Sequence, residues 1–380
     1  MIQKTEKWKI PEDGLWGFSH CGSHDTWYPW SSLSYEGKLS RLLCDLKAQG
    51  ANSFRPQIHW HRVEPLIDSE VRRLEDVTED MVRAYIESPS VKWKEYDMLI
   101  DGLISEGIEP HMVVGAAYDF QIPQVKVGEN FVRALPDTVG RDRYLAFLYL
   151  HARACAKRYK GKVHIWQLEN ELNCAGETML LVRWRSGRAW LDFGFLTAII
   201  EVLSEAILTE DSTNLRSHNF YCSLRLFSPA GWRQDIKRWL DMLDIIGVDP
   251  YPNYIFGWPV MTKVVGKKVR QAREAGGKPV MVLESGYPAK PARRGVNEKR
   301  QALYARRAVE EAVSAGACGF YYYQLCSTEG YPVEGPWSNK FFQSIEPWWG
   351  FIRKDDSLRP GWYAYKEAIG KAREGRMKKH

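Results

Sequence analysis

The sequence predicts an α/β chain folded as a (β/α)8 barrel, the TIM-barrel architecture, with its 380 residues forming a single domain. Three observations carry that reading. Short apolar runs alternate with amphipathic stretches of helical period eight times along the chain, the pattern of parallel strands joined by crossover helices. No G-x-G-x-x-G follows the first strand, which favours a closed barrel over an open dinucleotide-binding sheet. No Gly-, Pro- or Ser-rich linker divides the chain, and neither a fixed-period repeat nor a low-complexity tract occurs.

The first strand is "LWGFSH" (15–20), followed by helix "YEGKLSRLLCDLKAQG" (35–50), which stops at Gly50 as helices commonly do. Strand 2 is "NSFRPQIHW" (52–60), with helix 93–108 after it; strand 3 is "EPHMVVGAAY" (109–118), with helix 141–161. Strand 4, "VHIWQLENE" (163–171), leads to a helix near 190–209, and strand 5, "SHNFYCSL" (217–224), to helix 234–243. Strand 6 is "DIIGVDPY" (244–251), with helix 262–277; strand 7 is "PVMVLESGYP" (279–288), with helix 297–316. Strand 8, "ACGFYYYQL" (317–325), precedes the closing helix 360–375. The longest irregular segments follow strand 2 (61–92), strand 4 (172–190) and strand 8 (326–359). All three fall on the barrel face where active sites are built.

Composition narrows the function. Hydrophobic residues at 44% and charged residues at 26% support a packed core. The 16 Trp and 19 Tyr exceed what a core of this size needs, so exposed aromatic platforms that stack on sugars or bases are expected. The net charge of +6 comes from scattered clusters, "RWRSGR" (183–188), "KPARR" (290–294) and "KAREGRMKKH" (371–380). These read as solvated surface, and with no concentrated basic face or recognisable module no nucleic-acid partner is expected. "MIQKTEKWKIPEDG" lacks the apolar stretch of a secretory signal, and nowhere do about 18 apolar residues run together, so no membrane span is expected. The seven cysteines are odd in number, widely spaced and free of C-x-x-C, as for reduced thiols in a cytoplasmic protein. With no H-E-x-x-H among nine histidines, no P-loop and no dinucleotide fingerprint, neither metal nor cofactor is expected.

In a barrel of this kind, polar residues at strand C-termini are the candidates for function. They are Arg55 on strand 2, Asp119 on strand 3, Asn170 and Glu171 on strand 4, Tyr251 on strand 6, Glu284 on strand 7 and Gln324 on strand 8. Two glutamates therefore end strands 4 and 7, which face each other across a mouth about one sugar ring wide. Glycosidic bond cleavage needs such a pair: one acid to protonate the leaving oxygen, one carboxylate to meet the oxocarbenium carbon. Both could instead be loop-entry acids that cap helices or pair with arginines, and the residues alone do not decide for catalysis.

"WQLENELN" (166–173) and "VLESGYP" (282–288), together with "NSFRPQIHWHRVEP" (52–65), resemble the strand 4, strand 7 and strand 2 signatures of the retaining glycoside hydrolases of clan A. Locally "QLENELN" is similar to the Q-[VI]-[ED]-N-E-Y-G pattern of β-galactosidase families 35 and 42. The resemblance runs in order over residues 14–325. It implies Glu171 as acid/base and Glu284 as nucleophile, Asn170 on the sugar 2-hydroxyl, Arg55 holding Glu284 ionised and Tyr251 orienting it. Glu169 occupies a slot where the two β-galactosidase families also carry an acid, and is expected to support the site or bind a neighbouring group. A retaining enzyme places the two carboxyls roughly 5–5.5 Å apart, and the acid needs a raised pKa, for which a negative neighbour serves. Two departures loosen the family and the sugar: neither Pro nor Tyr-Gly follows "NEL", and strand 8 ends "YYYQL" where many members have Trp.

Further substrate contacts are expected from "HWHRVEP" (59–65): His59 or Trp60 at the sugar, with His61 and Glu64 nearby. A loop anchored by stacking and by Pro65 is the other reading. His20 and Asp119 could each meet a sugar hydroxyl or serve as core partners, and Trp337, Trp348 and Trp349 could stack on substrate or form a lid. The leading expectation is a retaining β-glycosidase, an exo-acting β-galactosidase or β-glucosidase, because long loops after strands 2, 4 and 8 could wall a groove into a pocket. Its partner is then an oligosaccharide or aryl β-glycoside. An endo-acting β-glucanase or β-mannanase is the alternative among enzymes, and a non-catalytic carbohydrate-binding barrel the alternative outside them.

Overall fold

The computed structural model describes residues 6–20, 22, 24–176, 178–179, 182–183, 185–222, 231–254, 257–290, 295–331 and 344–377. Eight strands close into a barrel: β1 (Leu15–His20), β2 (Ser53–Pro56), β3 (Glu109–Val114), β4 (Ile165–Leu168), β5 (Leu215–Tyr221), β6 (Ile245–Asp249), β7 (Val280–Ser285) and β8 (Gly319–Tyr322). Each pairs in parallel with the next, and β8 pairs back onto β1, Leu15 opposite Gly319. One long helix follows each strand: α1 (Tyr35–Gln49), α2 (Lys94–Ser105), α3 (Arg141–Arg158), α4 (Phe193–Glu210), α5 (Gly231–Trp239), α6 (Lys263–Gly276), α7 (Glu298–Ser314) and α8 (Pro360–Met377). This is the (β/α)8 barrel that the alternation predicts.

The local chemistry explains the boundaries. Every residue of β1, β5 and β7 is buried, because a barrel strand faces helices on one side and its neighbours' side chains on the other. Helix α1 begins where the Ser34 hydroxyl accepts from the Gly37 N–H, and ends at Gly50 in the left-handed conformation, φ 76°. Helix α7 begins at Asn297, whose side chain accepts from the Arg300 N–H.

Strands 2, 4 and 8 are shorter than their apolar runs suggest. Strand β2 stops at Pro56 because Trp60 starts a one-turn helix, Trp60–Val63. Strand β4 stops at Leu168 because the backbone turns left-handed at Glu169, φ 59°. The segment 61–92 is not irregular as expected. Leu66–Ile67 pairs with Gln124–Val127, which pairs antiparallel with Asn130–Arg133 from the loop after β3. Helix Glu79–Glu87, capped by Thr78, packs on α3. After β4, Thr178–Met179 and Val182–Arg183 form a short hairpin.

The barrel interior is layered. Its floor is apolar, with Leu15, Ile165, Leu215, Ile245 and Met281 in one cluster. Above the floor the His111 ring bridges Ser217 (2.7 Å) and the Tyr321 hydroxyl (3.2 Å), and Tyr321 meets Ser53 at 2.7 Å. Above these lie Ser19, Arg55, Gln167, Asn219 and Asp249, all buried. Among the described residues no helix is long and apolar enough to cross a membrane, no cysteine pair forms a disulfide, and no group of three His, Cys, Asp or Glu side chains could hold a metal ion.

Candidate active site

The carboxylate cluster is built from the strand exits inward. After Leu168 the chain takes two left-handed residues, Glu169 (φ 59°) and Glu171 (φ 46°), a conformation that costs a non-glycine residue about 1–3 kcal/mol. Surrounding bonds over-determine both. The Glu169 N–H donates to Val114 O at 2.9 Å, and its Oε2 accepts from Arg185 Nη2 (2.7 Å) and the Ala116 N–H (3.1 Å). The Glu171 N–H donates to Asn219 Oδ1 at 2.9 Å. Gly115, φ +111°, makes room: a Cβ there would lie 2.7 Å from the Glu169 carboxyl carbon.

Arg55 is the hub. Its side chain is fully buried and ties four strands together, donating to Gln167 Oε1 (2.6 Å), Ser19 Oγ (2.6 Å), Glu284 Oε1 (2.5 Å) and Asn170 Oδ1 (2.8 Å). Glu284 receives Tyr251 on its other oxygen, the phenol donating to Oε2 at 2.9 Å, and Ser19 Oγ lies 3.3 Å from Oε1. One carboxylate thus holds a guanidinium, a hydroxyl and a phenol, three donors that stabilise its charge in a site only 7% exposed. The Tyr251 phenol is pushed well above its usual range by burial and the Glu284 charge, so it stays a neutral donor.

Glu171 sits in the opposite environment. Burial raises its proton affinity well above that of an ordinary glutamate, and the charges of Asp249 and Glu284 raise it further. The two glutamates therefore differ as an acid and an anion must: one is pressed toward holding a proton, the other wrapped in donors.

Of the residues expected from sequence, Arg55, Asn170, Glu171, Tyr251 and Glu284 come together here. Glu169 lies beneath, its carboxylate fully buried against Arg185, which itself stacks on Trp190 at 4.3 Å. Burial also raises Glu169, while the Arg185 charge opposes the rise. Through Oε2 it supports the strand 4 exit.

Trp60 is turned away from solvent. The indole is fully buried, stacked on His151 (5.2 Å) and edge-on to Tyr144, with Nε1 donating to Glu64 at 2.9 Å. Tyr144 and His151 both lie on α3, so the ring packs the β2 loop onto that helix. His59 is buried, with its backbone N–H donating to the Tyr96 hydroxyl at 2.9 Å and its ring edge-on to His61 at 5.9 Å; burial pushes it down to about 3. His20 is likewise pushed down to about 3 by burial, and its Nε2 meets the Thr26 hydroxyl at 2.7 Å. Asp119 accepts from the Ser186 N–H at 2.7 Å, tying the β3 exit to the loop after β4.

Gln324 is buried behind the cis Tyr323–Gln324 peptide at the β8 exit. Trp348 lies near Lys290 and Arg359. Trp349 is fully buried and packs on Tyr251 (5.4 Å), Tyr254 (5.6 Å) and Tyr323 (6.2 Å), forming the wall behind the Glu284 partner. Trp337 lies outside the described residues.

Sequence reasoning missed Ser19, Gln167, Asn219, Asp249 and Arg185. Asn219 is central: it donates to Asn170 Oδ1 (2.8 Å) and Asp249 Oδ2 (2.6 Å), and accepts from Gln167 and from the Glu171 backbone. The signal was available. In strands buried on both faces, a polar residue demands a partner inside the barrel, and Gln167, Asn219 and Asp249 are such residues. Arg185 comes from a loop, and no periodicity marks it.

Searched against family models, the sequence matches none, and no curated protein matches it significantly. Solved structures do. The GH5_18 protein from Streptomyces cattleya in complex with GlcNAc is 13% identical, with 95% of this chain and 81% of that chain covered and a TM-score of 0.68. The exo-β-1,4-mannosidase Op5Man5 from Opitutaceae bacterium strain TAV5 is 15% identical, with 99% and 63% covered and a TM-score of 0.63. The family 1 β-glucosidase from Thermotoga maritima is 13% identical, with 97% and 99% covered and a TM-score of 0.60. At these identities the likeness carries the barrel fold. The local likeness of "QLENELN" to families 35 and 42 has no counterpart among these three.

Proposed function

We propose that this chain is a retaining β-glycosidase in which Glu284 is the nucleophile and Glu171 the acid/base. The observation that carries the reading is the asymmetry of the two glutamates. Glu284 receives Arg55, Ser19 and Tyr251, while Glu171 is pressed toward its protonated form by burial and two neighbouring carboxylates. Glu284 attacks the anomeric carbon as Glu171 gives its proton to the departing oxygen, leaving a glycosyl ester and a free alcohol. A water molecule then attacks the anomeric carbon, Glu171 takes its proton, and the bond from that carbon to Glu284 breaks, so Glu284 leaves as the carboxylate with the β configuration restored.

Two donors already occupy Asn170 Oδ1, so a sugar 2-hydroxyl would meet the Asn170 amide nitrogen. The barrel neighbours named for β-glucosidase and exo-β-1,4-mannosidase activity support a β-linked hexopyranoside as substrate. The sheet of residues 66–67, 124–127 and 130–133, which stands beside the β2 and β3 exits, supports exo action on short glycosides, and we take galacto- or gluco-configured ones as the substrates to try first.

The test is aryl-sugar release from a panel of β-galactoside, β-glucoside, β-fucoside, β-mannoside and β-xyloside by wild type and Glu284→Ala. Turnover of one glycoside that falls by several decades in the variant supports the reading, as expected for loss of a nucleophile. Equal rates in the two proteins would overturn it.

A further inference from the structure

The reaction of two glutamates leaves a third carboxylate unexplained. Asp249 ends β6, fully buried, with no apolar reason to be there and a large desolvation cost. It lies at the base of the site, among the groups that do the chemistry. Asn219 donates to its Oδ2 at 2.6 Å, and the same amide nitrogen donates to Asn170 at 2.8 Å. The Asn219 oxygen accepts from the Glu171 backbone at 2.9 Å, so one asparagine fixes Asp249, Asn170 and Glu171 relative to each other. The Asp249 carboxyl is also close enough to Glu171 that its charge raises the Glu171 proton affinity, and two carboxyls so placed hydrogen-bond only if one is protonated.

We propose that Asp249 is the positioning residue of the acid/base: hung from Asn219, its carboxylate accepts the Glu171 proton's hydrogen bond and so keeps that proton on Glu171 until a glycosidic oxygen takes it. The proposal rests on the glycosidase reading for its consequence, though the carboxyl pair itself does not.

The charges around Asp249 fit this role. The other carboxyls beside it are Glu284 on β7 and Glu171 after β4, and the cation is Arg55 on β2; the Tyr251 phenol and the Cys222 thiol, both raised by burial, remain neutral. Three carboxyls thus share one buried guanidinium, which cannot neutralise them all, so the cluster retains a proton. Burial raises the proton affinity of both Glu171 and Asp249, but the Asn219 amide donating to Asp249 Oδ2 at 2.6 Å favours the charge on Asp249, which makes Glu171 the donor and Asp249 the acceptor. When the glycosidic oxygen takes the proton, two anions are left side by side. Their repulsion drives Glu171 to recover a proton from the attacking water, which is its task in the second half of the reaction.

Removing the Asp249 charge must therefore lower the proton affinity of Glu171. The test measures wild type, Asp249→Asn and Asp249→Ser, the second removing the charge while leaving room for water should the first fail to fold. Infrared difference spectra follow the C=O stretch of the protonated buried carboxyl against pH, with Glu171→Gln to assign it. In parallel, kcat/KM is followed against pH for an aryl β-glycoside with a poor leaving group and for a dinitrophenyl one, which needs little acid assistance.

The expected result is that the Glu171 carboxyl loses its proton at lower pH in both variants and that the alkaline limb of kcat/KM moves down with it. The loss of rate should be about tenfold larger on the poor leaving group than on the dinitrophenyl glycoside. A carboxyl titration and alkaline limb that stay where they are, with equal loss on both substrates, would make Asp249 merely structural and overturn the proposal. A wild type that turns over no glycoside, while Asp249→Asn still moves the infrared titration, would uphold the carboxyl pair and overturn the glycosidase reading instead.

Discussion

Glu64 offers a quantitative test of how the β2 loop is built. Its carboxylate is buried, receiving Trp60 Nε1 at 2.9 Å and the Tyr85 hydroxyl at 3.0 Å, and Tyr85 in turn meets His151 Nδ1 at 2.9 Å. Burial pushes it up from 4.5 to about 7, and the two hydrogen bonds only partly oppose the rise. The folded state therefore binds this proton more tightly than the unfolded chain. The associated stability is fully present below about 4.5 and is lost as pH rises through about 7. A rise of that size corresponds to roughly 3 kcal/mol. Glu64→Gln removes the titration, and because both donors meet Oε2, an amide oxygen in that place still accepts from both. The stability of wild type relative to this variant should then fall by about 3 kcal/mol between about pH 4.5 and about pH 8, as read from urea unfolding at several pH values. His151, pushed down to about 3 by burial, stays neutral in the folded state over that range. A difference between the two proteins that does not change with pH would refute the reasoning.

Three other outcomes follow from the same geometry. Gly115→Ala places a Cβ 2.7 Å from the Glu169 carboxyl carbon at φ +111°, and should lower stability by about 2–4 kcal/mol in thermal unfolding; a neutral variant would contradict the account of the β4 exit. Tyr251→Phe removes the 2.9 Å donor from Glu284 and should lower kcat for aryl glycosides by roughly 10- to 100-fold with an unchanged unfolding midpoint; wild-type kcat would remove Tyr251 from the site. Trp60→Phe should cost about 1–3 kcal/mol of stability and leave KM within about twofold, because the indole packs on His151; a large rise in KM without loss of stability would put the ring at the sugar.

Much of the barrel was legible because its physics is periodic. Strands buried on both faces read as apolar runs, amphipathic helices as three- and four-residue spacing, and Gly50 and Asn297 as helix ends. The strand exits were less so. The run "VHIWQLENE" continues past Leu168, yet the strand stops, since nothing local forecasts that Arg185 and Asn219 will hold Glu169 and Glu171 left-handed. "HWHRVEP" misled for a related reason. An aromatic beside histidines looks the same in sequence whether it faces a sugar or a helix, and Trp60 faces α3. Asp249 was hidden in plain view between "GV" and "PY". Its meaning comes only from the β5 asparagine beside it, a pairing of residues 30 apart in the chain.

The central claim is that Glu284 forms and breaks a bond to the sugar. Incubation with a dinitrophenyl 2-deoxy-2-fluoro-β-glycoside of the preferred sugar should stop the enzyme and add one fluoroglycosyl mass, and fragmentation of the labelled peptide should place that mass on Glu284 within "VLESGYP". A label on another residue, or unlabelled enzyme that releases the inverted sugar from a normal substrate, would contradict it.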